Sequence, residues 1–242
     1  MRFMVMHKVD ANMEAGGPPS QEIIEQMGAL VQSSMKEGVF LNGAGLHRSA
    51  RRVRLTCKRG DCTLEKGPYV GKNELVASFT LISAPSLDDA VTHARTLGSE
   101  LGDVDIEVGP VVEPWDIGVM SKPEGKLPER FLLLCKSTAA DEAGGTGKKH
   151  AAAVKRLSES FKDNGVILAA ESLAPSAKGM RLASGSKGKR NWVDGPFAET
   201  KELIAGFSLL RLPSLAEARV WAELYAAILR DNEVDIREVN EP

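Results

Sequence analysis

Several features that would mark a specialised class of protein are missing or scarce in this chain. Three cysteines among 242 residues, an odd number without C-x-x-C spacing, argue against a disulfide framework. No apolar run approaches the roughly 18 residues of a membrane-spanning helix. Residues 1–10 are too short and too interrupted by Arg2, His7 and Lys8 for a signal peptide. A net charge of −2 gives no global attraction to nucleic acid or membrane, so we expect a globular cytoplasmic protein.

The familiar motifs of catalysis and cofactor binding are also missing. The chain has no phosphate loop, zinc-ligand spacing, nucleophile elbow or dinucleotide fingerprint. Residues 143–148 (AGGTGK) resemble a phosphate loop only superficially, because the spacing differs and no Gly-Lys-Ser/Thr ending follows. We therefore expect neither a metal nor a cofactor.

Two of the cysteines lie close together in the chain. Cys57 and Cys62 flank a four-residue polar segment, so we expect them to face each other across a hairpin. Two spare thiols on a β-ribbon is the first interpretation. A redox pair or half of a metal site is the alternative.

What the chain does contain is an internal repeat. Short matching segments recur at an offset of 127 to 130 residues throughout. We therefore predict a tandem duplication, with a first unit at residues 1–113, a Pro-containing linker at 114–129 and a second unit at 130–242. The matches include Arg2-Phe3 with Arg130-Phe131, Gly67-Pro68 with Gly195-Pro196, Pro85-Ser86-Leu87 with Pro213-Ser214-Leu215, and Val104-Asp105-Ile106 with Val234-Asp235-Ile236.

Each unit shows the same succession of hydrophobic patterns. A short apolar strand leads through a Glu-Ala-Gly-Gly loop into an amphipathic helix, which a second strand follows. A hairpin, the Gly-Pro turn and a long apolar strand come next. Ser86 and Ser214 begin capping-box spacings that predict a second helix, and a half-buried strand closes the unit. The order β-α-β-hairpin-β-α-β predicts an α+β fold, the ferredoxin-like split βαβ unit with an antiparallel sheet.

Such a unit leaves one apolar sheet face uncovered, because both helices lie on the other face. The second unit supplies a partner in the same chain, and covalent linkage raises its effective concentration to the order of millimolar. We therefore expect the two units to pack as an intramolecular pseudo-dimer, a dimeric α/β barrel, which is monomeric or assembles into a higher homo-oligomer.

The stretch at residues 194–202 (DGPFAETKE) resembles the signature of the YCII-related family, in its DGPF branch. Residues 2–5, 14–16 and 45–47 and the tail from Glu113 to Gly118 are also similar to that branch. The resemblance implies small α+β proteins that pair into a dimeric α/β barrel. It implies little about activity, since many members of the branch are associated with extracytoplasmic-function sigma factors. The wider family is suspected of enzymatic activity through a cleft histidine and aspartate, with lyase-like chemistry in one offshoot; His150 lies about one turn too early to take that role.

The signature stretch is the first candidate site. Asp194-Gly195-Pro196 is a turn sequence, and it is equally well explained as a rigid corner. As a site, it would hold carboxylates able to act as bases and a lysine able to bind an anion at the mouth of the inter-sheet cleft. The candidate ligand-binding residues are Gly195, Pro196, Phe197, Glu199, Thr200 and Lys201, with Lys66 and Tyr69 from the first unit.

The two copies differ in their charged residues. The second unit has Asp194 where the first has Lys66, and Glu171 where the first has Ala44, whereas His47 of the first unit corresponds to Ala174. If the halves face each other, one asymmetric site combines Asp194, Glu171 and His47 as candidate catalytic residues. The bland alternative is an ordinary loop histidine and solvated charges.

The chain has two clusters of basic residues, which we call the basic ribbons and consider as a partner surface. A solvated sheet edge protected by charge is the first interpretation, and an anion or an acidic protein partner is the alternative. Nucleic acid is not favoured, since only Trp192 is available for base stacking. The ribbons comprise Arg48, Arg51, Arg52, Arg54, Lys58 and Arg59, and then Lys178, Arg181, Lys187, Lys189 and Arg190.

The sequence thus leaves two functions open. The first is binding of a small polar or anionic molecule in the inter-sheet cleft, with metal-free acid–base chemistry of a lyase or isomerase kind. The second is a non-enzymatic regulatory or interaction protein, for example one linked to a sigma factor.

Overall fold

The structure is a computed structural model that describes residues 1–72, 74–125, 127–160, 166–184, 190–197, 202–230 and 233–241. Strands of the first unit are β1 (Arg2–Lys8), β2 (Phe40–Leu46), β3 (Val53–Lys58), β4 (Asp61–Lys66), β5 (Val76–Ala84) and β6 (Val104–Val112). Those of the second are β7 (Glu129–Lys136), β8 (Ile167–Ser172), β9 (Met180–Ser184), β10 (Arg190–Asp194), β11 (Ile204–Arg211) and β12 (Val234–Glu238). The helices are α1 (Ala11–Ala15), α2 (Gln21–Lys36), α3 (Leu87–Leu101), α4 (Ala139–Glu142), α5 (Thr146–Ser160) and α6 (Leu215–Leu229).

The helix starts follow from the capping residues that the sequence marked. Ser86 Oγ accepts a hydrogen bond from Asp89 N at 3.2 Å, and Ser214 Oγ accepts one from Glu217 N at 3.3 Å. Each serine thereby satisfies a backbone amide that has no partner within the first helical turn. The predicted starts of α3 and α6 are confirmed.

All strand pairings are antiparallel, as predicted, and the twelve strands form one sheet. Its hydrogen-bonded order is β10-β9-β12-β1-β11-β2-β6-β7-β5-β8, with β3 joining β6 and β4 joining β3. The α+β class is therefore confirmed.

The strand pairs cross between the two sequence units. β1 pairs with β11 and β12 of the second unit, with Val5 opposite Ser208. At the equivalent positions β7 pairs with β5 and β6 of the first unit, with Leu133 opposite Thr80. One section of the sheet is thus built from β1, β2 and β9–β12, and the other from β3–β8, which is continuous in the chain. We call this arrangement the strand exchange.

Alternating side chains of the central strands enter different cores. In β1, Phe3 and Val5 pack with residues of α6, whereas Met4 and Met6 pack with Phe79, Leu132 and Leu134 of the other section. Side chains of both sections therefore share one apolar core. This period-two division follows from the pleat of a strand, in which successive side chains point to opposite faces of the sheet.

The last strand of the path, β8, also reaches back to the first section. Leu173, just after β8, forms an antiparallel bridge with Val239, just after β12. Ala174 N donates to Glu238 O at 2.8 Å and Asn240 N donates to Ser172 O at 2.9 Å. The bridge lies at the position equivalent to the β2–β6 pairing, where Leu46 is opposite Val111.

The cysteine interpretation needs a correction. Cys57 and Cys62 do face each other across the β3–β4 hairpin, but they form a disulfide instead of two spare thiols. The bond packs against α3, where a Cβ added to Gly98 would lie 2.5 Å from Cys57 Sγ. Cys135 is buried and unbonded to another cysteine. No helix in the described ranges is long and apolar enough to cross a membrane.

Candidate functional site

Each of the two Gly-Pro turns packs closely against a short helical turn of its own unit. A Cβ added to Gly67 would lie 1.8 Å from Ser49 O, and one added to Gly195 would lie 1.8 Å from Ser176 O. No side chain fits at that distance, so only glycine is compatible with this packing. Each turn thereby fixes the aromatic residue that follows it, Tyr69 in the first unit and Phe197 in the second.

The glutamate of each Glu-Ala-Gly-Gly loop hydrogen-bonds to the serine of the short helical turn in its own unit. Glu14 accepts hydrogen bonds from Ser49 N at 3.2 Å and from Ser49 Oγ. Glu142 accepts one from Ser176 N at 2.8 Å, and one from Ser137 Oγ at 2.6 Å. The repeated glutamate therefore has a structural role, which the repeat pattern showed as a match but did not explain.

Five charged side chains form a buried group beneath the first Gly-Pro turn, which we call the first cluster: Arg52, Arg54, Glu74, Glu107 and Lys136. Arg52 Nη1 lies 2.8 Å from Glu107 Oε1, and Arg54 Nη2 lies 2.6 Å from Glu74 Oε1. Lys136 Nζ lies 3.2 Å from Glu107 Oε2 and also pairs with Glu74. Burial alone would raise the pKa of Glu107, but Lys136 and Arg52 outweigh it and hold that pKa at about 2.

Tyr69 lies between the first cluster and solvent. The guanidinium carbon of Arg54 lies 4.3 Å from the centre of the Tyr69 ring, a cation–π contact. Burial raises the pKa of the Tyr69 phenol, and nearby Glu107 adds to that effect, so the hydroxyl is protonated. Tyr69 also lines a pocket of about 260 Å³, the Tyr69 pocket, with Val9, Asp10, Glu14, Val70 and Leu203.

The second unit contributes an equivalent group, the second cluster, made of Lys8, Arg181, Glu233 and Asp235. Lys8 Nζ lies 2.9 Å from Asp235 Oδ2, while Arg181 donates to both oxygens of Asp235 at 2.5 and 2.9 Å. Arg181 Nε also lies 3.2 Å from Glu233. The guanidinium lies 4.5 Å from the Phe197 ring, as Arg54 does from Tyr69.

This comparison corrects one detail of the predicted repeat. Arg54 is opposite Glu107 and Arg181 is opposite Asp235 in the strand register. Asp235 is therefore equivalent to Glu107, so matching Val104-Asp105-Ile106 with Val234-Asp235-Ile236 was wrong by two residues. The mistake arose because both segments alternate apolar and acidic residues, and alternation alone does not fix a strand register.

A buried arginine enters from different strands in the two units. Arg52 Nε donates to His47 O at 2.5 Å, and Arg237 Nη2 donates to the equivalent Ala174 O at 2.6 Å. A Cβ on Gly109 would lie 3.3 Å from Arg52, and one on Gly179 would lie 3.1 Å from Arg237. The glycine in each unit thus makes room for the arginine of that unit.

A second pocket contains a histidine–aspartate pair and is called the His47 pocket. It has a volume of about 100 Å³ and is lined by His47, Arg51, Glu113, Trp115, Asp116, Lys122 and Arg130, among others. His47 Nε2 lies 3.2 Å from Asp116 Oδ2. On its rim, Arg130 donates two hydrogen bonds to Glu113, both at 2.7 Å.

The environment of His47 favours the neutral imidazole. Burial lowers the pKa of His47, the charge of Arg51 lowers it further, and Asp116 opposes them only in part. Arg51 Nη1 lies 3.0 Å from Nδ1 and 3.1 Å from Nε2, so the guanidinium lies against the imidazole and not in line with one ring nitrogen. In the tautomer that donates its Nε2 proton to Asp116, Nδ1 is the nitrogen that accepts a proton.

The predicted asymmetric site is not assembled by direct contacts. Glu171 pairs with Arg2, and burial raises the pKa of Glu171 although Arg2 opposes this. Asp194 and Lys66 are exposed at the ends of β10 and β4. Among the described residues, no hydrogen bond or ion pair joins these three side chains to one another or to His47.

Several residues of the predicted site lie outside the described ranges. Of the ligand-binding candidates, Glu199, Thr200 and Lys201 lie outside the described residues, as do Lys187 and Lys189 of the basic ribbons. Pro196 is exposed, and Phe197 N donates to Ser176 Oγ at 3.1 Å.

The basic ribbons are not continuous surfaces. Arg52 and Arg54 are only 1% and 4% exposed and belong to the first cluster, while Arg181 binds Asp235 in the second. The interpretation of the first ribbon as a solvated edge was wrong at these two central arginines, because charge on alternating strand residues does not reveal which face is covered. Arg48, Arg51, Lys58 and Arg59 are exposed.

Sequence reasoning missed several residues that the structure brings together. Glu74, Glu107 and Lys136 are separated widely in the chain, and only the strand exchange brings Lys136 beside Glu107. Asp116 was seen as part of a tail motif but not as the partner of His47. In the described part of the chain, no group of three side chains is arranged to hold a metal ion.

Comparison with known proteins bears on the fold and the repeat. The family model of the YCII-related domain matches two segments, residues 1–98 and 130–241, as a tandem duplicated copy would. Comparison with curated proteins and with solved structures found no match. Because the two matched segments cover most of the chain and carry both Gly-Pro turns, the protein belongs to the YCII-related domain family.

Proposed function

We propose that the protein binds a small anionic molecule in the His47 pocket and performs acid–base chemistry on it, with His47 as the base. The observation that carries this proposal is the His47–Asp116 pair at 3.2 Å in a recessed, partly exposed position. A neutral imidazole oriented by a carboxylate is the usual arrangement of a histidine that accepts a proton.

The charges around the pocket favour an anion. Asp116 is engaged by His47, and Glu113 is engaged by Arg130. Among the described residues, no carboxylate lies within ion-pair distance of Arg51 or Lys122. Apart from these pairs, the charged residues that line the pocket are the cations Arg51 and Lys122 and the carboxylate Glu129. A carboxylate group on the ligand would complete the coordination of Arg51.

The size of the pocket limits the ligand. A volume of about 100 Å³ is well below the roughly 300 Å³ at which pockets for drug-sized molecules begin. The substrate class that fits is a carboxylate of a few carbon atoms, part of which projects into solvent.

The chemistry requires one movement of a side chain. Arg51 is exposed and can turn from the His47 imidazole towards the carboxylate of the ligand. The Nδ1 lone pair of His47 then takes a proton from the ligand, and Asp116 stabilises the imidazolium that forms. Returning the proton to another atom gives an isomerisation, and loss of a leaving group gives an elimination, the lyase-like reaction.

The same proposal includes the architecture of the site. We propose that the two units close into the dimeric α/β barrel, which the Leu173–Val239 bridge and the shared central core support. In the proposed division, the linker at 114–129 supplies Trp115 and Asp116 to the His47 pocket. Ala174 replaces His47 in the second unit, so each chain has one such site, and neither Asp194 nor Glu171 takes part in it. This site is favoured over an interaction surface because burial of Arg52 and Arg54 interrupts the first basic ribbon.

NMR observation of the four histidines tests the proposal. A panel of small carboxylates, including acetate, pyruvate, malonate and fumarate, is titrated into the protein while the imidazole C–H signals are followed. We expect at least one of them to shift the His47 signal in a saturable way, and Asp116→Asn and Arg51→Gln to weaken that binding at least tenfold. His93→Gln, at a partly buried histidine on α3, is the matched control and leaves the affinity unchanged. Binding that persists in Arg51→Gln, or a His47 signal that no carboxylate shifts, contradicts the proposal.

A further inference from the structure

The first cluster has more positive charge than its own residues neutralise. Arg52, Arg54 and Lys136 supply three cations, whereas Glu74 and Glu107 supply two carboxylates. All five side chains are at most 5% exposed. A buried charge without a partner is costly, since neither water nor an opposite charge stabilises it.

The hydrogen-bond donors of this cluster are also incompletely used. Among the described residues, Arg52 Nη2, Arg54 Nε and Nη1 and the Tyr69 hydroxyl are buried without a hydrogen-bond partner. Arg52 and Arg54 bind opposite oxygens of the same Glu107 carboxylate, at 2.8 and 3.8 Å, so their guanidinium groups are neighbours. Tyr69 lies directly over Arg54. Four unused donors thus lie within one small region.

The second cluster provides an internal comparison. Arg181, the equivalent of Arg54, uses Nε and Nη2 on Asp235, and Arg237, which takes the place of Arg52 in space, pairs with Glu142 at 3.4 Å. Here Lys8, Arg181 and Arg237 are matched by Asp235, Glu233 and Glu142. Gly179 replaces Arg52, and Phe197 replaces Tyr69 without a hydroxyl. Among the described residues, one buried donor of the second unit, Arg237 Nε, lacks a hydrogen-bond partner beside this cluster, compared with four in the first cluster.

We propose that the first cluster is a binding site for one small monovalent anion, of the size of a halide or formate, held by Arg52, Arg54 and the Tyr69 hydroxyl. One anion neutralises the single excess charge and accepts hydrogen bonds from the four unused donors. This site is separate from the His47 pocket and does not depend on the function proposed there.

The Tyr69 pocket provides the path to the site. Tyr69 lines this pocket on one side and covers Arg54 on the other. Asp10 and Glu14 at the pocket carry negative charge but are engaged, by Met13 N at 2.7 Å and by Ser49. Their charge disfavours entry of multivalent anions, and the burial of the donors disfavours large ones.

Thermal unfolding at constant ionic strength tests the site directly. Sodium gluconate, whose anion is too large to enter, is replaced stepwise by sodium chloride, bromide or formate. A site of this kind gives a saturable rise in Tm, about 3–6 °C at roughly ten times Kd for a chain of this size. A linear, non-saturable response that is the same for all anions overturns the proposal.

Two tyrosine variants separate the site from general salt effects. Tyr69→Phe copies the second unit, removes only the hydroxyl and is expected to weaken the anion affinity at least fivefold. Tyr225→Phe, at the other tyrosine of the chain, whose hydroxyl bonds His7 at 2.7 Å, lowers Tm but leaves that affinity unchanged. Equal affinities in the two variants contradict the assignment.

Anomalous diffraction from bromide-soaked crystals of the unmodified protein locates the anion independently of any variant. The expected peak lies within about 3.5 Å of Arg52 Nη2 and an Arg54 nitrogen. Ordered water alone at these donors, in crystals soaked at saturating bromide, overturns the proposal.

Discussion

Lys8 and Asp235 form a buried ion pair between the first and the last strand of the chain, with Nζ 2.9 Å from Oδ2. Their side chains are 2% and 3% exposed. Lys136 and Glu107 make the equivalent contact in the other section of the sheet, at 3.2 Å. The two pairs join strands from different sequence units, so each connects the halves of the molecule.

Removing the carboxylate of Asp235 should be strongly destabilising. Asp235→Asn leaves Lys8 and Arg181 buried without their shared negative charge, and breaking a buried pair typically costs about 3–5 kcal/mol. The free energy of unfolding in urea measures the loss. The control is Glu22→Gln, which breaks the exposed pair with Arg230, where we expect a change within about 1 kcal/mol. Similar losses in the two variants would contradict the account of the clusters.

The Gly-Pro turns should tolerate no side chain. Gly195→Ala places a Cβ where Ser176 O now lies, and we expect a loss of at least about 2 kcal/mol in unfolding free energy through forced backbone displacement. Gly28→Ala in α2 is the control, because nothing lies within 4 Å of its added Cβ and alanine favours a helix by about 1 kcal/mol. Opposite signs are expected in the same urea assay; a neutral Gly195→Ala would show that the turn is not closely packed.

Buried neutral histidines should make the fold sensitive to mild acid. Burial lowers the pKa of His7 and of His150 from 6.5 to about 4. Below pH 6.5 the unfolded chain therefore takes up protons that the folded chain does not, so stability falls as the pH falls from 6.5 to 4. Each histidine contributes a slope of up to about 1.4 kcal/mol per pH unit.

The contribution of a single histidine can be isolated by substitution. His150→Leu removes a titrating group whose buried Nε2 has no hydrogen-bond partner among the described residues, and it should reduce the slope between pH 6 and 4.5 by about one proton. Urea denaturation at a series of pH values provides the slope. The unmodified protein gives the reference slope, and an unchanged slope in His150→Leu would show that its imidazole takes up a proton as readily in the folded state as in the unfolded chain.

The order and type of the elements could be predicted from the sequence because local signals specify them. Ser86 and Ser214 begin helices through their own hydroxyls, and the unbroken apolar run at residues 3–6 of β1 supplies side chains to two cores. The choice of partner strand is not local. Val5 would meet similar apolar neighbours in its own unit or in the other, since the two copies carry nearly the same pattern.

The sequence identified candidate residues within single segments, but it did not show which distant residues surround them. His47 was identified as a candidate from the sequence, and the structure shows that it lines a pocket. Its partner Asp116 comes from the linker, and Arg51 had been assigned to a basic surface. The charged clusters were missed because their members, such as Lys136 and Glu107, meet only through strand pairing between distant segments.

Engineered disulfides provide the most direct test of the strand exchange, on which the shared core and both charged clusters depend. Val5 lies opposite Ser208 in the structure, whereas it would lie opposite Thr80 if each unit completed its own sheet. Two double variants, Val5→Cys with Ser208→Cys and Val5→Cys with Thr80→Cys, are oxidised as monomers, and their cross-links are mapped by mass spectrometry of non-reduced peptides. We predict a bond between positions 5 and 208 and none between 5 and 80; a bond between 5 and 80 without one between 5 and 208 would contradict the account.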